Sequence, residues 1–271
     1  MIPSTWAGRL GVLLLALHLA LALCGPALAP YAPEAIDPDR AFAPPSEAHP
    51  AGTDQLGRDV LSRTLLGGRT ALALALTATG IAVLAGGLAG IALGLRGGLL
   101  DELALRASDA LQAIPGLLLF LAVVTVTGPR NDVLVALLAL VNVPGVLRVA
   151  RAATLEQAGR DYVAAARARG ESTRAIVLHE LLPNVRDALL VEAAMRASWM
   201  LLSLASLSFL GFGVAPPTPD WGLMVAENRS RLAIAPWATL APALAISSLV
   251  IALNLTADAL AKRFGVDAVR R

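Results

Sequence analysis

A single lysine, Lys262, stands in the 271-residue chain, and the residue after it is Arg263. A P-loop needs a lysine followed by Ser or Thr to hold phosphate and magnesium. The chain is therefore not a P-loop ATPase. Cysteine is equally scarce: Cys24 alone excludes an intrachain disulfide and gives no reading of redox compartment. The three histidines, His18, His49 and His179, lie on different segments and form no metal-ligand pattern. Each reads as an ordinary surface or interface histidine. No HExxH or GxSxG is present, which leaves membrane protease and esterase readings without support. Charge is sparse as well, at 15% of residues against about a quarter in soluble chains. The net charge is +2 and the arginines are dispersed between apolar blocks, so no nucleic-acid surface is expected.

What is present is apolar length. Hydrophobic residues make up 56% of the chain, the mean hydropathy is +0.68, and the apolar residues fall in long blocks. A helix crossing the hydrocarbon core needs roughly 20 mostly apolar residues. Six segments meet that test: Leu10–Ala29, Ala71–Leu95, Ala110–Thr127, Val133–Val149, Ala188–Phe212 and Trp237–Ala261. The expectation is an all-α membrane protein with six transmembrane helices. The first segment has a rival reading, because Arg9, the apolar run and Ala27-Leu28-Ala29 resemble a cleavable signal peptide. The reading adopted is an uncleaved helix. With the N-terminus in the cytoplasm, the inside segments, including Arg270 and Arg271 at the C-terminus, carry twice as many basic residues as the outside ones. The positive-inside rule then places both termini in the cytoplasm. Residues 1–69 are expected to hold the first helix and an extracytoplasmic segment. Residues 70–271 would form the transmembrane core, with an Arg-rich cytoplasmic loop over 150–187.

That loop is the most informative stretch. Asp161-Tyr162-Val163-Ala164-Ala165-Ala166-Arg167-Ala168-Arg169 is rich in helix formers, and Gly170 is a natural stop. Ser172 or Thr173 can cap a second short helix running through Ile176 and Leu178 to about Leu182, where Pro183 would break the pattern. The first helix presents small residues, which let another protein's backbone approach closely. Arg167, Arg169 and Arg174 can pair with acids on such a partner. The alternative is an amphipathic helix lying on anionic lipid, but the helix lacks a bulky apolar face.

The order Ala165-Ala166, Gly170, then Leu182-Pro183 resembles the EAA loop of ABC-importer permeases. The family's leading Glu is Ala164 here, which removes a possible docking salt bridge. Gly52-Thr53-Asp54-Gln55-Leu56-Gly57-Arg58-Asp59 and the following Val60–Arg63 are similar to the segment before the second helix in the C-type permeases of dipeptide, oligopeptide and nickel importers. Ser208–Val214 with Pro216–Gly222 resembles the region after their fifth helix, and Asn254-Leu255 with Asp258–Leu260 the end of their sixth. The resemblance covers nearly the whole chain. It implies the type I ABC-importer permease fold. Ala165, Ala166, Arg167, Gly170, Leu182 and Pro183 would form the element that docks into a groove of the ATPase and transmits its closure.

Other residues invite local readings. Asp54 and Asp59 with Arg58 and Arg63 suggest an ion-paired collar positioning the second helix, or a surface for a partner. Trp221 reads as a membrane-interface anchor. Asn142, Ser203, Ser206 and Asn254, with Ser208, are candidates for lining a translocation path, the alternative for each being helix–helix hydrogen bonding. Pro115, Pro144 and Pro242 would kink their helices. Gly86, Gly87, Gly90 and Gly94 would form a small-residue packing face. Glu192 and Arg196, four apart, would pair along one helix.

The resemblance further implies a non-catalytic subunit of the bacterial inner membrane that binds no cofactor, with ATP and Mg used by partner ATPase subunits. Its partners would be one or two cytoplasmic P-loop ATPases, an extracytoplasmic solute-binding protein, and a related permease in a heterodimer, although the sequence does not exclude a homodimer. Dipeptides or oligopeptides are the first expectation for the solute and nickel or a nickel chelate the second. An ion-coupled secondary transporter is the rival class; it would usually show buried carboxylates within the spans, whereas Asp109 lies near one helix end and Glu192 has Arg196 nearby.

Overall fold

The computed structural model describes residues 5–265. Arg270 and Arg271 lie outside the described residues. Those residues form helices, with no strand pairing beyond an isolated bridge between Thr53 and Asp59. Five helices are long and apolar enough to cross a membrane: α1 (Trp6–Leu28), α2 (Val60–Arg96), α5 (Asn131–Ala158), α7 (Thr173–Phe209) and α9 (Pro236–Phe264). A bent pair, α3 (Gly98–Ala113) and α4 (Gly116–Thr127), makes the sixth apolar segment. Two short α-helices, α6 (Asp161–Ala168) and α8 (Trp221–Asn228), and two single 3₁₀ turns, Pro38–Arg40 and Arg229–Arg231, complete the set among the described residues.

The third expected span is corrected by the structure. Ala110–Thr127 is not one straight helix, because α3 and α4 meet at 77°. Proline disfavours the helical conformation in the residue before it, and Ile114 is extended at φ −83°, ψ 121°. Pro115, lacking an N–H, then starts α4 without loss. The twelve residues of α4 rise only about 18 Å, short of a hydrocarbon core of about 30 Å. Pro144 and Pro242, by contrast, sit inside unbroken helices.

The centre of the bundle is the α2–α5 crossing. A Cβ at Gly86 would fall 2.8 Å from the Val143 carbonyl oxygen, and one at Gly94 3.0 Å from that of Arg151. At Gly90 it would collide with the Leu147 carbonyl and lie 2.7 Å from the Ala150 Cβ. Only hydrogen at these positions lets the backbones touch. The ascending register (86 with 143, 90 with 147, 94 with 151) makes the two helices parallel. Gly87 instead faces Leu189 of α7 at ordinary distance.

Helix α1 runs antiparallel to α9. A Cβ at Gly11 would meet Leu255, and His18 Nε2 lies 2.9 Å from Ser248 Oγ. Its C-terminal half reaches the start of α2, where Gly25 lies against Leu65. The start of α1, the end of α9 and helix α6 therefore share one end of the bundle. The loop before α2 and helix α8 share the other.

Candidate functional site

At the α6 end, the chain folds as the sequence predicts and then departs from it. Val163 and Ala166 are fully buried, three residues apart on one face, while Ala164, Ala165 and Arg167 are exposed. The helix ends in a Schellman motif: the Glu171 N–H donates to the Ala166 carbonyl (3.2 Å) and the Gly170 N–H to that of Arg167 (3.0 Å). Gly170 takes φ +76°, and the space where a Cβ would stand is open. Arg169 holds Glu171 at 2.6 Å and Glu180 at 3.5 Å, fastening the loop to the base of α7.

The expected second short helix is not separate. Ser172 does cap it, accepting from the Ala175 N–H at 3.2 Å. It then passes through a π-helical turn, Ile176–Leu181, straight into α7. Pro183 does not break the helix. The wider i→i+5 turn carries the Leu182 N–H to the Val177 carbonyl, so the proline falls at the start of renewed α-helix, where a missing donor is tolerated. Leu182 is half-buried and Pro183 exposed.

Midway along the bundle lies a polar groove of about 530 Å³ lined by Gln112, Asn142, Gly145, Arg148, Arg196, Trp199 and Ser203, with Val141. The expected Glu192–Arg196 pair is there: Arg196 Nε donates to Glu192 Oε1 at 2.6 Å, and its Nη1 donates to Asn142 Oδ1 at 3.3 Å. Arg148 donates to Gln112 Oε1 at 2.7 Å and pairs with Asp109. Of the four path candidates, Asn142 and Ser203 meet here. The other two lie apart. Ser206 faces a separate, largely apolar groove between α7, α8 and α9 and donates to its own helix at Leu202 O (2.8 Å). Asn254 Nδ2 donates to Ser198 Oγ at 2.9 Å, tying α9 to α7. Ser208 is buried and accepts from the Val214 N–H at 3.4 Å. Sequence reasoning missed Gln112, Arg148 and Trp199 as groove residues. Nothing local in the chain links Gln112 to Arg148; only the bend at Ile114-Pro115 brings α3 across α5.

At the opposite end, the expected collar is built, and it is larger than the sequence suggested. Arg58 bridges Asp54 and Glu227, both at 2.7 Å, and Arg63, 1% exposed, lies 3.6 Å from Asp54. Asp59 caps α2, accepting from the Ser62 N–H at 2.7 Å, and also holds His49 Nδ1 at 2.9 Å. His49 is thus a buried collar residue rather than a surface one. Asn228 Oδ1 accepts from the Gln55 N–H at 3.2 Å, so α8 is locked to the loop twice. Gly52 (φ +66°) and Gly57 (φ +72°) make the turns. Trp221 corrects its expectation: it is 3% exposed, donates its indole N–H to the Thr64 carbonyl at 2.7 Å and packs on Gly67 and Gly68. A side chain so enclosed does not anchor the protein in the lipid interface. Beside it Asp220 caps α8 through the Leu223 N–H (2.9 Å). Burial pushes this carboxyl up, against the opposing pull of the backbone N–H groups of Leu223 and Gly222.

Among the described residues, no group of three or more His, Cys, Asp or Glu side chains converges as a metal site would require.

A bundle of helices long and apolar enough to cross a membrane, with a polar groove along it and an exposed small-residue helix at one end, has the build of a membrane transport subunit. Comparison with known proteins carries this further. Residues 86–266 match the family described as the binding-protein-dependent transport system inner membrane component, and the chain belongs to that family. The di/tripeptide transport system permease protein DppC of Pseudomonas aeruginosa is 38% identical over 256 residues, covering 92% of this chain and 84% of the relative. The glutathione transport system permease protein GsiD of Pectobacterium atrosepticum is 38% identical over 255 residues, with 94% and 84% covered. GsiD of Shigella flexneri is 42% identical over 234 residues, with 86% and 77% covered. The chain is accordingly an ABC-importer permease subunit, a multi-pass protein of the bacterial inner membrane.

Proposed function

We propose that this chain forms one half of the membrane pore of an ATP-driven importer for short peptides. Relatives over most of its length carry names for di/tripeptide and glutathione transport, and glutathione is itself a tripeptide. A related permease supplies the second half of the pore. Cytoplasmic P-loop ATPases, which bind the ATP and Mg, dock at the α6 end, and a solute-binding protein delivers peptide at the collar end. Both termini then lie in the cytoplasm. Residues 1–69 serve as anchor and collar, and residues 70–271 form the transmembrane core with its coupling loop over 150–187.

The observation that carries the reading is the build of α6. Its inner face is buried, its outer face is small-residue and exposed, and its C-terminus is closed by Gly170 at positive φ with open space beyond. Ala165, Arg167 and Gly170 make the exposed docking surface, the buried Ala166 seats the helix on the bundle instead of meeting the ATPase, and Leu182 and Pro183 pass the displacement into α7. Closure of the ATPase pair pushes this element and rocks α7, with the Arg169 links to Glu171 and Glu180 keeping the loop from yielding.

Gly170→Val tests this. A left-handed conformation costs an L-residue with a Cβ roughly 1–2 kcal/mol, so the loop relaxes and the coupling element shifts. In proteoliposomes holding the whole transporter, peptide uptake is expected to fall while ATP hydrolysis continues. Unchanged uptake, or parallel loss of both activities, contradicts the coupling role.

A further inference from the structure

Two arginines open onto the groove between α5 and α7, and their surroundings are built rather than incidental. Glu192 is 4% exposed, and its carboxylate holds Arg196 Nε at 2.6 Å. Asn142 accepts from Nη1 of the same guanidinium. The guanidinium rests against the backbone of α5 at Gly145, where a Cβ would lie 2.7 Å from Arg196 Cζ and 3.0 Å from Nη1. Arg148, 40% exposed at its side chain, is steadied by Gln112 and Asp109 on α3. Each guanidinium has five N–H donors, and the carboxylate pairs use only part of that capacity. Charged groups within spans face water-filled paths rather than lipid. Each positive group here is balanced by a negative one, so the groove is dipolar without a strong net field.

We propose that Arg196, with Arg148, forms a carboxylate-handling subsite through which the free C-terminal carboxylate of the transported peptide passes. This rests on the peptide-importer reading above. Arg196 offers the carboxylate a paired fork in exchange for Asn142, while Glu192 and Asp109 keep the site from holding it tightly. Such a site grips weakly and releases, as a path must. Trp199, 64% exposed beside Arg196 and Ser203, supplies an apolar wall for the side chains of a passing peptide.

The test uses the complete transporter in proteoliposomes with saturating binding protein. A Cys24→Ser, Ser203→Cys background places one thiol in this chain's groove. A dipeptide with a free C-terminus is expected to slow labelling of that thiol by a small anionic methanethiosulfonate, and the same dipeptide amidated at its C-terminus is not. Arg196→Gln is expected to abolish the protection and to lower uptake of the free-acid dipeptide about tenfold, the scale of one lost charge-assisted hydrogen bond. Binding-protein-stimulated ATP hydrolysis stays within about twofold of wild type, and Arg196→Lys restores part of the uptake. Equal protection by acid and amide, protection unaffected by Arg196→Gln, or joint loss of uptake and stimulated hydrolysis would each overturn the subsite. If no peptide is taken up but another carboxylate-bearing solute protects the thiol, the peptide reading fails and the subsite stands.

Discussion

Arg58 shows how much of this protein's order rests on single side chains. It is nearly enclosed, yet it spans two carboxylates, Asp54 four residues away in sequence and Glu227 169 residues away. Cutting such a buried network by removing one partner leaves uncompensated charge and typically costs about 3–5 kcal/mol. Arg58→Ala is therefore expected to lower the thermal midpoint of the detergent-solubilised complex markedly. Arg130→Ala, whose pair with Asp132 is two-thirds exposed at both side chains, should change it little, since exposed pairs contribute roughly 0–1 kcal/mol. Equal effects from the two substitutions would mean that the collar does not hold the fold. Trp221 teaches a related lesson: an aromatic residue beside a proline-rich loop satisfies the pattern of an interface anchor, but two glycines on α2 open a slot for it inside the protein.

Among the elements, the α2–α5 pair carries the strictest geometric demand. Gly90→Leu places a branched side chain where backbone already stands, and overpacking of this kind costs about 1–3 kcal/mol or more. The expected result is a sharp loss of folded permease in a detergent-solubility assay. Gly80→Leu on the same helix, where a Cβ meets nothing within 4 Å, should be tolerated. Comparable losses at both sites would show that the α2–α5 crossing does not set the demand for glycine. The other elements of consequence are irregular. The bend between α3 and α4 lays α3 across α5, so that Asp101 grips Arg151 through two 2.6 Å hydrogen bonds while Asp109 and Gln112 reach Arg148 only one turn earlier. The π turn at Ile176–Leu181 keeps α7 continuous from Thr173 to Phe209 despite Pro183.

For the whole molecule, the arrangement of ends matters most. Six apolar segments return the chain to its starting side, so the α6 end gathers the start of α1 and the end of α9, while the collar and α8 gather opposite. Purification of a tagged chain in mild detergent is expected to bring with it a second permease of the same family and one or two P-loop ATPases, identified by mass spectrometry. A solitary chain that still moves solute in liposomes, driven by an ion gradient, would overturn the importer assembly. The rival of ion coupling has little to draw on within the spans, where Glu192 is already paired with Arg196.

The amino-acid order by itself determined what local rules and lengthwise hydropathy can reach. Five of the six apolar blocks lie on unbroken helices, the glycine after Arg169 ends α6, Ser172 caps the turn that follows it, and the four-residue spacing pairs Glu192 with Arg196. The glycines of α2 announced a close approach without naming its partner. Tertiary structure alone decided what depends on neighbours distant in sequence. It recruited Glu227 and Asn228 to the collar and put Trp221 into the slot beside Thr64. It separated Ser206 and Asn254 from Asn142 and Ser203, and it brought Gln112 to Arg148. The physical reason is the same in each case: a hydrogen bond or a packing contact needs a partner at a few ångströms, and spacing along one chain specifies such partners only within a helix turn or a tight loop.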